Sequence, residues 1–169
     1  MKETINARLG ALRGQMKEAH IDATIIPQTD PHHSEYIADH WQIRRWLSGF
    51  TGSAGSLVVT ADKALLWTDS RYFIQAAQQL DSTGIELMKD GLPDTPSIEA
   101  FLTSHLPEGA VVGIDGNLFS ISETATLKSA LEAHHMYLNT CFDVIGNIWQ
   151  DRPDLPDTPV FIHDVKYSG

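Results

Sequence analysis

Asp69, Ser70, Arg71 and Tyr72 place a carboxylate, a hydroxyl, a guanidinium and a phenol side by side within the segment Trp67-Thr68-Asp69-Ser70-Arg71-Tyr72-Phe73. A β-favouring run passes there into helical spacing, so Asp69 or Ser70 is expected to cap a helix with Arg71 in its first turn. A cation at that end opposes the positive pole of the helix dipole, at a cost of about a few tenths of a kcal/mol. Two arrangements would offset the cost: an ion pair with a local carboxylate such as Asp69, or a contact with a substrate or a neighbouring surface. Both stay open at this level.

The run Gly49-Phe50-Thr51-Gly52-Ser53-Ala54-Gly55 spaces its glycines as G-x-x-G-x-x-G and leads into a β-run, with no Gly-Lys-Ser or Gly-Lys-Thr behind it. A phosphate cradle needs a helix N-terminus after its glycines. A tight loop is expected instead, its glycines allowing close backbone approach or positive φ. The eight histidines include the dipeptides His32-His33 and His134-His135. Adjacent side chains diverge and no H-E-x-x-H spacing occurs, so surface or packing roles are expected and no metal is assigned to this chain. Cys141, the single cysteine, has no disulfide partner and no evident base, and is read as a buried thiol in a reducing setting.

Twelve Lys and Arg stand against 22 Asp and Glu, a net charge of −10 that opposes binding to nucleic acid. The one local basic pair, Arg44-Arg45, lies among Trp41, Trp46 and Phe50, which points to a folded pocket or an interface. No apolar run approaches the roughly 20 residues that span a bilayer, so no membrane role is expected. The start Met1-Lys2-Glu3-Thr4 lacks a secretory signal, and a cytoplasmic location is expected.

These groups must be held by the surrounding elements. Ile5, Leu9, Leu12, Met16 and Ala19 share one face of a helix, and Ala23 to Ile26 reads as a strand ended by Pro27. Residues 28–55 read as irregular, with a short helix around Glu35 to Ile37. Ser56 to Thr60 and Ala64 to Thr68 form a hairpin across Ala61-Asp62-Lys63. Strands at Ile85–Lys89, Ala110–Ile114 and Met136–Leu138 alternate with helices opened by Ser97 and Ser122, the latter carrying Ala125, Leu127, Leu131 and His134. This is the α/β pattern, a mixed sheet covered by helices. Pro153, Pro156 and Pro159, spaced among Asp151, Asp154 and Asp157, mark an extended linker. The expected organisation is one domain over 1–150, a linker over 151–159, and the start of a truncated second domain over 160–169, opening with a strand at Val160-Phe161-Ile162.

The segments H-S-E-Y-I (His33 to Ile37), R-R-W-L-S-G-F-T-G-S-A-G (Arg44 to Gly55), W-T-D-S-R-Y-F-I-Q-A (Trp67 to Ala76), M-K-D-G-L-P-D-T-P (Met88 to Pro96) and I-W-Q-D-R-P (Ile148 to Pro153) occur in that order. Over essentially the whole chain they resemble the first domain of the three-domain Xaa-Pro aminopeptidases, aminopeptidase P, within the creatinase/prolidase N-terminal domain family. Two departures touch only loop geometry: Ser70 stands where glycine is usual, and Ala38 where proline is common.

The resemblance implies a mixed six-stranded sheet flanked by helices, ribonuclease H-like, without ribonuclease activity. It also implies an intact metallopeptidase that removes the N-terminal residue preceding proline. Two divalent metals, typically manganese, would sit in a C-terminal catalytic domain of the same protein, and none of their ligands belongs to this stretch. This chain alone is then expected to be inactive. Its part would be to wall the active-site mouth against proline-containing peptides and to support packing on the catalytic domain or in a homodimer. Arg71 and Tyr72, then Trp41, Arg44 and Phe50, are the residues expected to face that mouth or the adjoining domain. The other reading is a pure interaction module that touches no substrate.

Overall fold

The apolar spacing at the N-terminus forms the helix it implies. In the computed structural model, which describes residues 2–146 and 148–168, α1 (Lys2–Glu18) buries Ile5, Leu9, Leu12 and Met16, while Ala19 falls beyond it and is exposed. β1 (Ala23–Ile26) follows, then α2 (Ile43–Ser48), β2 (Ser56–Thr60), β3 (Ala64–Thr68), α3 (Phe73–Leu80) and β4 (Glu86–Lys89). α4 (Ile98–His105), β5 (Val111–Gly113), α5 (Ile121–Glu132) and β6 (Tyr137–Asn139) complete the elements that build the sheet and its helical layers.

The strands join in one six-stranded sheet ordered β4-β3-β2-β1-β5-β6. β2 runs antiparallel to both β1 and β3, whereas β3–β4, β1–β5 and β5–β6 are parallel. Every residue of β1 and β3 is buried, as strands covered on both faces require, which is why they read as unbroken apolar runs. Successive side chains point to opposite faces. Leu57, Val59 and Leu66 therefore pack with α1, α2 and α3 on one side, and Val58, Leu65 and Trp67 with α4 and α5 on the other. The result is the mixed six-stranded, helix-flanked sheet that was expected.

Four local expectations change. No helix forms at Glu35 to Ile37. The Asp30 carboxylate accepts hydrogen bonds from the backbone N–H groups of His32 and Ser34 at 2.9 and 3.0 Å, and His33 sits at φ 52°, a turn that draws the chain out of helical geometry. The ordered pieces lie just beyond, in a 3-10 turn at Asp39–Trp41 and in α2. α3 begins at Phe73 rather than at Ser70 or Arg71, because Asp69 closes a turn first: its side chain accepts from Arg71 N–H at 3.0 Å and its carbonyl from Tyr72 N–H at 3.0 Å. Arg71 thus precedes the helix rather than lying in its first turn. α5 is capped by Ser120, not Ser122, through a reciprocal box with Glu123. Val160, Phe161 and Ile162 form no strand and are exposed; none of the six strands pairs with them.

Candidate functional site

β1, β3 and β4 point their carboxyl ends the same way, and β2, running against them, starts at that end. The glycine loop therefore enters β2 beside the exits of β1 and β3. Gly49 ends α2 at φ 73°. Gly55, at φ 132°, lies so close to the Trp67 carbonyl that a side chain would collide with backbone. The Thr68 hydroxyl donates to the Ala54 carbonyl at 2.8 Å, tying the loop to the end of β3. At Gly52 a Cβ would stand 2.8 Å from Tyr72 Cδ1, so glycine lets the loop lie flat on the aromatic rings beneath it.

Four of the five candidate residues form a file from the core to the surface. The Arg44 guanidinium lies 4.6 Å from the Phe50 ring centroid. Phe50 meets Tyr72 edge-on at 5.9 Å and 83°, and Arg71 lies 5.4 Å from the Tyr72 ring. Arg71 is paired locally: Nε and Nη2 donate to the Asp69 carboxylate at 2.9 and 2.7 Å. Hydrogen bonding from Arg71 holds the Asp69 carboxyl down at about 2. The Arg71 side chain is still 67% exposed. Tyr72, half-buried, shares a 2.6 Å hydrogen bond with the Ser53 hydroxyl, and this bond lowers its phenol below the ordinary range.

Arg44 and Phe50, expected to face the mouth or the adjoining domain, lie inward in this chain. Both are 0% exposed. Arg44 donates inward, to Gln28 Oε1 at 2.8 Å and to the Gly52 carbonyl. Burial pushes its guanidinium down to about 9, which leaves it charged at neutral pH. Phe50 is the floor on which the loop and Tyr72 rest. Trp41 lies in a second cluster. Its ring meets His40 at 4.7 Å and the Arg152 guanidinium at 5.1 Å, while Arg152 Nε donates to the His40 carbonyl at 2.9 Å. It lines a cavity of about 500 Å³ with Asp115, Asp143, Arg152 and Cys141. Cys141 is exposed there, not buried, because it follows the end of β6 and bridges Asp115 at the rim.

Sequence reading missed Gln28, Gln42 and Ser53. Each takes part in a side-chain pairing that spans 14 to 19 residues, and no local pattern reports such pairing. It also passed over the cavity of about 400 Å³ between the Ala54-Gly55-Ser56 stretch and Asp69, Asp90 and Glu99. Among the described residues no group of three or more His, Cys, Asp or Glu side chains is placed to hold a metal ion.

This sheet, with a single antiparallel strand and helices on both faces, defines a mixed α/β domain. The chain belongs to the creatinase/prolidase N-terminal domain family, whose model matches residues 8–144. It is 43% identical over 173 residues to Aminopeptidase P2 of Arabidopsis thaliana, covering 99% of this chain and 24% of that protein. To Xaa-Pro aminopeptidase 2 of Rattus norvegicus it is 40% identical over 164 residues, covering 96% and 24%. The chain thus spans about a quarter of the length of these curated relatives. Among solved structures, the X-prolyl aminopeptidase of Caenorhabditis elegans, described as a cytosolic enzyme with a di-nuclear active site, superposes with a TM-score of 0.88 at 36% identity, over 96% of this chain and 28% of that one. The N-terminal creatinase/prolidase-like domain from Corynebacterium diphtheriae superposes at 0.59 with 26% identity, over 80% and 94%.

Proposed function

We propose that this chain is the N-terminal, non-catalytic module of a cytoplasmic, metal-dependent Xaa-Pro aminopeptidase that removes the residue preceding proline from peptide N-termini. The observation that carries the reading is the similarity of nearly the whole chain, 99% of it, to a quarter of an aminopeptidase P at 43% identity. Residues 1–150 are the module, 151–159 its linker, and 160–169 the beginning of the next domain. The di-nuclear centre of the C. elegans relative has no counterpart in the donor set of this chain among the described residues. By resemblance, the two divalent metals, manganese, belong to a catalytic domain outside this stretch, and no step of the hydrolysis is assigned to these residues.

The part assigned to this chain is positional. Arg71 and Tyr72 present a cation and a hydroxyl on a short turn braced by Asp69 and Ser53, a geometry suited to bounding the substrate mouth. In the intact enzyme Arg71→Ala is expected to lower kcat/KM for Xaa-Pro peptides about tenfold, the loss of one charge-assisted contact, with bound metal unchanged. Unaltered kinetics would remove the substrate-contact role. A second reading has its own support: Arg71 already spends two donors on Asp69, as a purely structural residue would. In that case the module serves packing on the catalytic domain or in a homodimer, and the same variant shifts assembly or melting while peptide kinetics stay normal.

A further inference from the structure

A charged side chain with no exposure and no carboxylate partner is costly, and an apolar residue of similar size in its place is often neutral or stabilising. Arg44 is such a side chain. It is 0% exposed and forms none of the ion pairs found among the described residues. Its Nη1 is buried without a hydrogen-bond partner. Packing against Phe50 does not require a guanidinium, since a methionine would fill the same space. What the guanidinium does is bridge. Nη2 donates to the Gly52 carbonyl and Nε to Gln28 Oε1 at 2.8 Å. Gln28 Nε2 donates onward to Gln42 Oε1 at 2.7 Å, and Gln42 Nε2 to the Ile37 carbonyl at 3.0 Å.

This polar chain joins two irregular segments that share no ladder hydrogen bonds: the glycine loop 49–55, and the long stretch 28–42 that leaves β1. Its order is directional. Each glutamine accepts from the previous member and donates to the next, so one amide cannot change without breaking a link. The glycine loop in turn carries Ser53, whose hydroxyl holds Tyr72.

We propose that Arg44 is a positioning residue that locks the glycine loop to the 28–42 segment, so that the two loops at the carboxyl edge of the sheet keep one relative geometry. Only a kinetic consequence of this lock would rest on the aminopeptidase reading; the lock itself is a property of this chain and is tested on it.

The test is backbone hydrogen exchange on the 169-residue chain, wild type against Arg44→Met and Gln28→Glu. Trp41 and Gln42 N–H report on one segment, bonding to Ala38 and Asp39 carbonyls. Phe50 and Thr51 N–H report on the other, bonding to Ser48 Oγ and Gln79 Oε1. Arg44→Met should speed exchange at both pairs about tenfold, the equivalent of one net hydrogen bond, while amides of β2 and β3 stay protected and the melting temperature does not fall.

Gln28→Glu separates the lock from general loosening, and it carries the test if the methionine variant does not fold. The introduced carboxylate still accepts from Arg44 but cannot donate to Gln42. Exchange should therefore rise at Trp41 and Gln42 only, with Phe50 and Thr51 as in wild type. Unchanged exchange in the 28–42 segment of either variant, or a uniform rise that includes β2 and β3, would overturn the proposal. Because no peptide or metal enters the measurement, its failure is distinct from a failure of the aminopeptidase reading.

Discussion

The contact between Asp69 and Arg71 makes the clearest demand at the scale of single residues. Two residues apart and joined by two side-chain hydrogen bonds, they hold the Asp69 carboxyl down from its ordinary 3.8 to about 2. A carboxyl depressed on folding contributes stability that is full above its unfolded pKa of about 3.9 and fades as the pH falls through the folded value. The Asp69 share is therefore expected to be lost between about pH 4 and pH 2, and to be small, because the pair is solvent-exposed and screened. Carboxyl-carbon NMR titration should place the Asp69 midpoint well below those of unpaired aspartates. In Arg71→Gln that midpoint should move back up; an unmoved midpoint would show that Arg71 does not set it. Tyr72 adds to the brace, since its hydroxyl is committed to Ser53 and its ring to Phe50.

At the scale of elements, helix ends follow capping chemistry more than apolar spacing. Ser97 caps α4 by accepting from Ala100 N–H, where the sequence places it. α5 is capped two residues before the expected Ser122, because Ser120 and Glu123 satisfy each other's backbone N–H groups and that reciprocal pair outcompetes a lone serine. Ser120→Ala should cost about 1 kcal/mol and lower the melting temperature by about 3 °C, followed by circular dichroism. No change would mean that packing of Leu127 and Leu131 alone sets the helix start. The same chemistry explains the missing helix at Glu35–Ile37. There Asp30 captures the N–H groups of His32 and Ser34 in a turn that a helix-forming pattern does not announce.

Across the whole molecule, two apolar layers share one sheet. Leu66 faces α1, α2 and α3, and its neighbour Leu65 faces α4 and α5. Both are almost fully buried, at 0% and 2% exposure, so truncating either to alanine should cost about 2–5 kcal/mol. Because a single strand carries both, Leu65→Ala and Leu66→Ala should each lower the urea midpoint in one cooperative transition with an unchanged slope. Two separated transitions in either variant would show that the layers unfold independently. Net charge acts at the same scale: an excess of ten negative charges sets how the molecule meets other macromolecules and leaves the sheet topology untouched.

Local patterning alone determined the strands at 23–26, 56–60 and 64–68, the hairpin between the last two, the amphipathic first helix, and a glycine loop that leads into a strand. Each depends on side-chain periodicity or turn chemistry within a few residues. The long motifs, read together, determined the family. Tertiary structure decided the rest. It alone settled that Arg71 pairs with Asp69 before the helix rather than within it, that Cys141 is exposed, and that Trp41 belongs with Arg152. It also turned Arg44 and Phe50 inward. The physical reason is common to these cases: whether a polar or aromatic side chain faces solvent depends on partners brought near by sheet topology. Gln28 and Gly52, which engage Arg44 directly, and Gln42, which reaches it through Gln28, leave no periodic trace in the sequence.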